Sequence, residues 1–117
     1  MYRIPLILTV LASTAHAGEI DQTAALAAIQ QPNSVLLDVR TATEYAQGAL
    51  PGAVRIESHY LAGRVADLAP DKNQPVIIYC RTGRRSADAT GLLKEMGYSN
   101  VINAGGYDDL KALAPEH

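Results

Sequence analysis

The stretch VIIYCRTGRRSAD, residues 76–88, holds the chain's one cysteine, Cys80, with Gly83 and three arginines directly behind it. A cysteine reacts as its thiolate, and nearby cations or a helix N-terminus lower the thiol pKa from about 8.5 toward roughly 3.5–7.5. Both influences meet here. The apolar run before Cys80 reads as a strand, and the segment after Gly83 reads as the start of a helix. The first N–H groups of that helix lack internal partners. Together with the helix dipole and the cations of Arg81, Arg84 and Arg85, they favour an anion in one small space. Gly83 lets the backbone close around such an anion without a Cβ in the way. The bland alternatives are a surface loop whose arginines are merely solvated and a cysteine that is inert in the core.

An anion cradle with a thiolate serves two chemistries, and loop length separates them. Cysteine phosphatases use Cys-x5-Arg, so that the last arginine grips a tetrahedral phosphate. In this chain Ser86 stands at that place and Arg85 comes one position early. The shorter loop, residues 80–85, suits a persulfide whose second sulfur is capped by backbone N–H groups.

The remaining residues must position this loop. A helix is expected over 21–30 with Asp21 as its cap, then a buried strand at 34–38. Thr41 and Glu44 have capping-box spacing for a short second helix that Gly48 ends. Pro51-Gly52 turns the chain into a strand at 53–56, and Ser58 is expected to cap a third helix carrying Leu61, Val65 and Leu68. The strand at 75–79 leads to Cys80. The helix behind it presents Ala89, Leu92, Leu93 and Met96 on one face and is closed by Gly97. A last strand is expected at 100–103, after which AGGY bends the chain into a short helix near 107–113. Strands that are apolar throughout, separated by helices, indicate a parallel sheet covered on both faces: one α/β domain.

At 117 residues the chain suffices for one domain with a modest core. It has neither Trp nor Phe, so the core must come from Leu, Ile, Val, Ala and some of the six Tyr. Its first residues read differently. Arg3, an apolar run over 4–12 and the small-x-small pattern Ala15-His16-Ala17 predict a signal peptide at 1–17, cleaved after Ala17. The expected mature domain is 18–117, exported and periplasmic. The run is about half the roughly 20 residues a membrane span needs, and no membrane association is expected after cleavage. Without Arg3, nine basic side chains face twelve acidic ones, a net charge of −3, which argues against nucleic acid as a partner. In an oxidising compartment an odd cysteine is either a reactive thiol or one half of an intermolecular bridge.

Three stretches then carry a family resemblance: LLDVRTATEYAQGALPGAVRI at 36–56, CRTGRRS at 80–86 and MGYSNVINAGGY at 96–107. They resemble the flanking signatures and active-site loop of the rhodanese (thiosulfate sulfurtransferase) family, in its small, exported, single-domain form. The resemblance covers nearly all of residues 20–113. It implies a single rhodanese-like domain with a parallel five-stranded sheet flanked by helices. It also implies ping-pong sulfur transfer without metal or organic cofactor. Cys80 would take the outer sulfur of thiosulfate as a persulfide and pass it to cyanide or a thiol. Arg81, Thr82, Gly83, Arg84 and Arg85 match the substrate-binding loop, with the arginines neutralising the sulfonate. Arg84 and Arg85 are expected to matter more than Arg81. The alternative is a persulfide carrier that docks to a protein partner.

Two departures stand out. The first signature commonly reads Gly-His-Ile-Pro-Gly-Ala, where this chain has Ala49 and Leu50. Glu44 stands where some two-domain members place a substrate-binding arginine. Asp38 and Arg40 are expected to form a structural pair, and Tyr60, Tyr98 and Tyr107 to pack with a polar tip. His59 and His117 show no metal-site spacing, and a monomer is expected.

Overall fold

The computed structural model describes residues 19–113. The leader expected at 1–17, its cleavage point, and His117 lie outside them. Four parallel strands form the sheet in the order β2-β1-β3-β4: β1 Val35–Asp38, β2 Val54–Arg55, β3 Val76–Cys80 and β4 Val101–Gly106. The helices between and around them are α1 Gln22–Ile29, α2 Ala42–Ala46, α3 Ser58–Leu68, α4 Arg84–Glu95 and α5 Tyr107–Leu113.

The expected fifth strand is reduced to one parallel bridge, Ile20 to Asn103, beside β4. The chain has no room to extend it past that point. Asp21 is already the N-cap of α1, its carboxylate accepting from the Ala24 N–H. The sheet among the described residues therefore has four strands, the number that apolar runs in the sequence mark.

Every residue of β3 is buried, as a strand covered on both faces requires. Side chains alternate across it. Val76, Ile78 and Cys80 join Leu61, Val65, Ala89 and Leu93 on the face covered by α3 and α4. Ile77 and Tyr79 join Ala25, Ala28 and Leu110 on the face covered by α1 and α5. Tyr98 packs in the first layer, its hydroxyl donating to the Ala69 carbonyl at 2.7 Å. Tyr60 does not pack as expected and is 57% exposed.

Two local corrections bear on the site. Ser58 is the first residue of α3 rather than its cap; Glu57 holds the cap position without a side-chain bond. The Glu57 carboxylate instead lies 3.6 Å from both Arg55 and His59. The last strand is longer than expected and runs through Gly106. Ile78 pairs with Asn103 but Tyr79 pairs with Gly105, so Ala104 is an extra residue in β4. Such a bulge re-aims the neighbouring side chains. It is held by the chain itself, because Asn103 Oδ1 accepts from the Gly105 N–H at 2.9 Å.

Candidate active site

Cys80 ends β3 and is fully buried. Behind it the chain turns at Gly83, whose φ of +98° lies in the left-handed region that glycine adopts freely. Gly83 is also the N-cap of α4 and supplies no side chain to cap it. The orphan N–H groups of the helix therefore stay available to the sulfur. The Gly83 N–H donates to Cys80 Sγ at 2.9 Å. Burial alone would push the thiol pKa up. Hydrogen bonds from the Ser86 hydroxyl and from the N–H groups of Ser86, Gly83 and Thr82 outweigh burial and hold it below its ordinary value. The cradle thus favours the thiolate.

Ser86 lies on the buried face of α4, 3.4 Å from the sulfur, and its hydroxyl is 2.6 Å from Asn103 Oδ1. A hydroxyl carries one proton. With a protonated thiol, Cys80 donates to Ser86 and Ser86 donates to Asn103. With a thiolate, the Ser86 proton turns to the sulfur, while Asn103 Oδ1 keeps the Gly105 N–H. Asn103 Nδ2 also donates to the Gly83 carbonyl at 3.3 Å, tying β4 to the cysteine loop. Sequence reasoning gave neither Ser86 nor Asn103 a role in the site, although both fall in stretches that carry the family resemblance. Ser86 was visible only as the residue standing where a phosphatase has arginine, and the bulge that aims Asn103 leaves no signature in residue types.

The loop residues separate in their surroundings. Thr82 is exposed and Gly83 is buried. Arg84 and Arg81 are exposed and make no ion pair with another described residue. Arg85 is engaged: its Nη1 and Nη2 lie 3.2 and 3.4 Å from the two carboxylate oxygens of Glu44. Glu44 also completes the predicted capping box of α2 with Thr41. The Thr41 N–H bond, helped by Arg85 and opposed by burial, lowers the Glu44 pKa from 4.5 to about 2.

Asp38 and Arg40 form the expected structural pair. Arg40 Nη2 is 2.7 Å from Asp38 Oδ2 and donates to the Gly48 carbonyl at 2.7 Å. The guanidinium lies 4.2 Å from the centre of the Tyr107 ring. Beside it opens a cavity of about 390 Å³ lined by Arg81, by Gln47 and Gly48, and by Tyr107, Asp108 and Lys111 of α5. Among the described residues no three His, Cys, Asp or Glu side chains gather as metal ligands, and no helix is long and apolar enough to cross a membrane.

A parallel sheet whose strand end presents a cysteine to a helix N-terminus, within this loop, defines the rhodanese-like class. The chain belongs to the rhodanese-like domain family, whose model matches residues 21–113. It is 43% identical over 74 residues to the thiosulfate sulfurtransferase PspE of Escherichia coli (strain K12), spanning 63% of this chain and 71% of that protein. A sulfurtransferase of Allochromatium vinosum is 37% identical over 90 residues, 76% of this chain and 82% of the relative. Among solved structures, a rhodanese with anions from E. coli superposes with a TM-score of 0.66 at 40% identity, covering 70% of this chain and 94% of that one.

Proposed function

We propose that the chain is a thiosulfate sulfurtransferase working through a Cys80 persulfide. The carrying observation is the buried Cys80 sulfur, stabilised as thiolate by the Ser86 hydroxyl and by N–H donors of the loop. The thiolate attacks the outer sulfur of thiosulfate. The sulfur–sulfur bond of the donor breaks, and its electron pair leaves with sulfite. The persulfide formed on Cys80 is then attacked at its outer sulfur by cyanide or a thiol, and Cys80 returns to thiolate. Backbone N–H groups at Thr82, Gly83 and Ser86 hold the sulfur, while Arg81, Arg84 and Arg85 draw in the sulfonate. Nucleophilic transfer of this kind draws on no metal or organic cofactor.

Two competing readings weigh less. In a phosphatase the residue after the loop would grip the substrate, yet here that residue is Ser86, turned to the sulfur itself. A pure persulfide carrier needs no sulfonate grip, whereas Arg81 and Arg84 stand free of ion pairs among the described residues. Export to the periplasm as a monomer, after cleavage following Ala17, belongs to the same proposal.

Mass spectrometry of the purified protein tests it. Thiosulfate should add about 32 Da, one sulfur atom, at Cys80, and cyanide should remove it. An adduct that survives Cys80→Ser, or no adduct at all, overturns the mechanism. The same spectrum of protein recovered from the periplasm reads the N-terminus and should begin at Gly18.

A further inference from the structure

We infer that Asn103 is a positioning residue for sulfur transfer: its side-chain oxygen competes with Cys80 for the Ser86 proton and so disfavours the thiolate relative to the persulfide. The inference rests on the sulfur-transfer reading above. Asn103 is 1% exposed, and its side chain bonds to two residues that touch the sulfur. Its Nδ2 donates to the Gly83 carbonyl at 3.3 Å, and its Oδ1 lies 2.6 Å from the Ser86 hydroxyl. Gly83 N and Ser86 Oγ in turn lie 2.9 and 3.4 Å from Cys80 Sγ. Two backbone groups fix which way the amide points. Oδ1 also accepts from the Gly105 N–H at 2.9 Å, and a flip would set Oδ1 against the Gly83 carbonyl and Nδ2 against that N–H. An acceptor is therefore held against Ser86, and two oxygens 2.6 Å apart need a proton between them.

That hydroxyl has one proton to give. In the thiolate state it turns to Sγ, and Ser86 and Asn103 are left presenting lone pairs to each other. When the thiolate attacks thiosulfate, a bond forms from Sγ to the outer sulfur. The donor's own sulfur–sulfur bond breaks, and its electron pair leaves with sulfite. The negative charge now sits on the outer sulfur, and Sγ, in a neutral sulfur–sulfur bond, is a weak acceptor. The Ser86 proton returns to Asn103, and the opposed lone pairs are relieved. Attack on the outer sulfur by cyanide or a thiol reverses the turn, because Sγ recovers its electron pair. Charged groups on the surrounding elements are engaged or exposed. Asp38 of β1 is paired with Arg40, and Arg85 with Glu44. Arg81, Arg84, Asp88, Lys94 and Glu95 on the loop and α4, and His59, Arg64 and Asp67 on α3, are exposed. Tyr79 packs in the opposite layer, and β4 carries no charged residue.

The test measures thiol ionisation, by thiolate absorbance against pH, and the loading equilibrium, by the persulfide fraction in the mass spectrum at fixed ratios of thiosulfate to sulfite. Asn103→Leu removes the competing oxygen. It should raise the ionisation constant of the thiol about 3- to 10-fold and lower the loading equilibrium constant by about the same factor, the scale of one hydrogen bond. A merely structural Asn103 predicts the reverse for the thiol, since a loosened loop withdraws N–H donors and suppresses ionisation. Asn103→Ala, which adds no bulk, should act in the same direction, and in a Ser86→Ala background neither change should increase ionisation. In the native protein, the NMR signals of the Asn103 side-chain amide and the Gly105 N–H should shift with thiol ionisation and return on sulfur loading. Ionisation unchanged or suppressed in both variants, or native signals that ignore thiol ionisation or keep their thiolate positions in the persulfide, overturns the inference alone. A protein that never loads with sulfur overturns the sulfur-transfer reading and this inference with it.

Discussion

Glu44 holds the guanidinium of Arg85 at two points, 3.2 and 3.4 Å, so one of the three loop arginines is already neutralised before any anion arrives. The carboxylate is fixed for a second reason, since its Oε1 also accepts from the Thr41 N–H at 3.0 Å. One side chain thus caps α2 and restrains the cysteine loop.

Replacing Glu44 by Gln separates these tasks. Glutamine at the third helical position can still complete a capping box. The charge on Arg85 is released, and a negative charge that repels thiosulfate is removed. We expect kcat/KM for thiosulfate to rise about 5-fold, near the upper range for a partly exposed ion pair. Steady-state kinetics at saturating cyanide checks it; a fall instead would mean that Arg85 acts only when Glu44 orients it.

The same pair carries a pH signature. The folded pKa of Glu44, about 2, lies below its ordinary 4.5. Its contribution to stability is therefore present above about pH 4.5 and is lost as pH falls through about 2. Urea unfolding at pH 7 and pH 3 should show a smaller acid-induced loss for Glu44→Gln than for the native protein. Equal losses would place the acid sensitivity elsewhere.

Ser86→Ala removes the hydroxyl from the sulfur while leaving the N–H donors. Cys80 then keeps its burial and loses a major opposing influence, so its pKa rises. Persulfide loading at neutral pH should slow about 10-fold, the lower end for one hydrogen bond to a charged group. The deficit should shrink as pH rises and the thiol ionises without help. A loading rate reduced equally at every pH would assign Ser86 to loop shape rather than to thiolate stability.

How much of this was legible beforehand follows from how local each cause is. The Asp21 cap, the Thr41–Glu44 capping box and the fully apolar run into Cys80 are contained in a few neighbouring residues, and each forms as read. The loop cysteine and its arginines were legible for the same reason. The partnership of Glu44 with Arg85 spans 41 positions and depends on how α2 meets α4. The role of Asn103 depends on an extra residue in β4, where Gly105 and Gly106 look like a turn but pair with Tyr79 and Cys80. Glycines read as a bend are here the part of the strand on which the loop rests.

That support is tight enough to test. A Cβ at Gly106 would meet the Arg81 carbonyl oxygen at 2.6 Å, and backbone on both sides leaves little room to yield. Gly106→Ala should cost about 1–3 kcal/mol by overpacking. It should also reduce persulfide loading more than a core change at least as destabilising, such as Leu93→Ala, because the shift falls on the residue after the nucleophile. Urea unfolding alongside loading rates makes the comparison; equal loading in the two variants would show that the loop tolerates the displacement.

The division of labour among the arginines differs from what loop position suggests. Arg85, one of the two expected to grip the sulfonate most strongly, begins in an ion pair, while Arg81 and Arg84 begin without one among the described residues. A sulfonate must displace Glu44 to use Arg85 fully, which offsets part of what that contact contributes. A charged hydrogen bond is worth roughly 1.5–3 kcal/mol, or about 10- to 150-fold in rate. Arg84→Ala should therefore lower kcat/KM for thiosulfate within that range. Arg85→Ala should lower it less, by about 3- to 10-fold, and the double change Glu44→Gln with Arg85→Ala should fall no further. Kinetics of the four proteins, with thiosulfate varied at saturating cyanide, decide it. If Arg85→Ala proves the more damaging single change, the pair with Glu44 is how the loop presents Arg85 to the donor rather than how it restrains it.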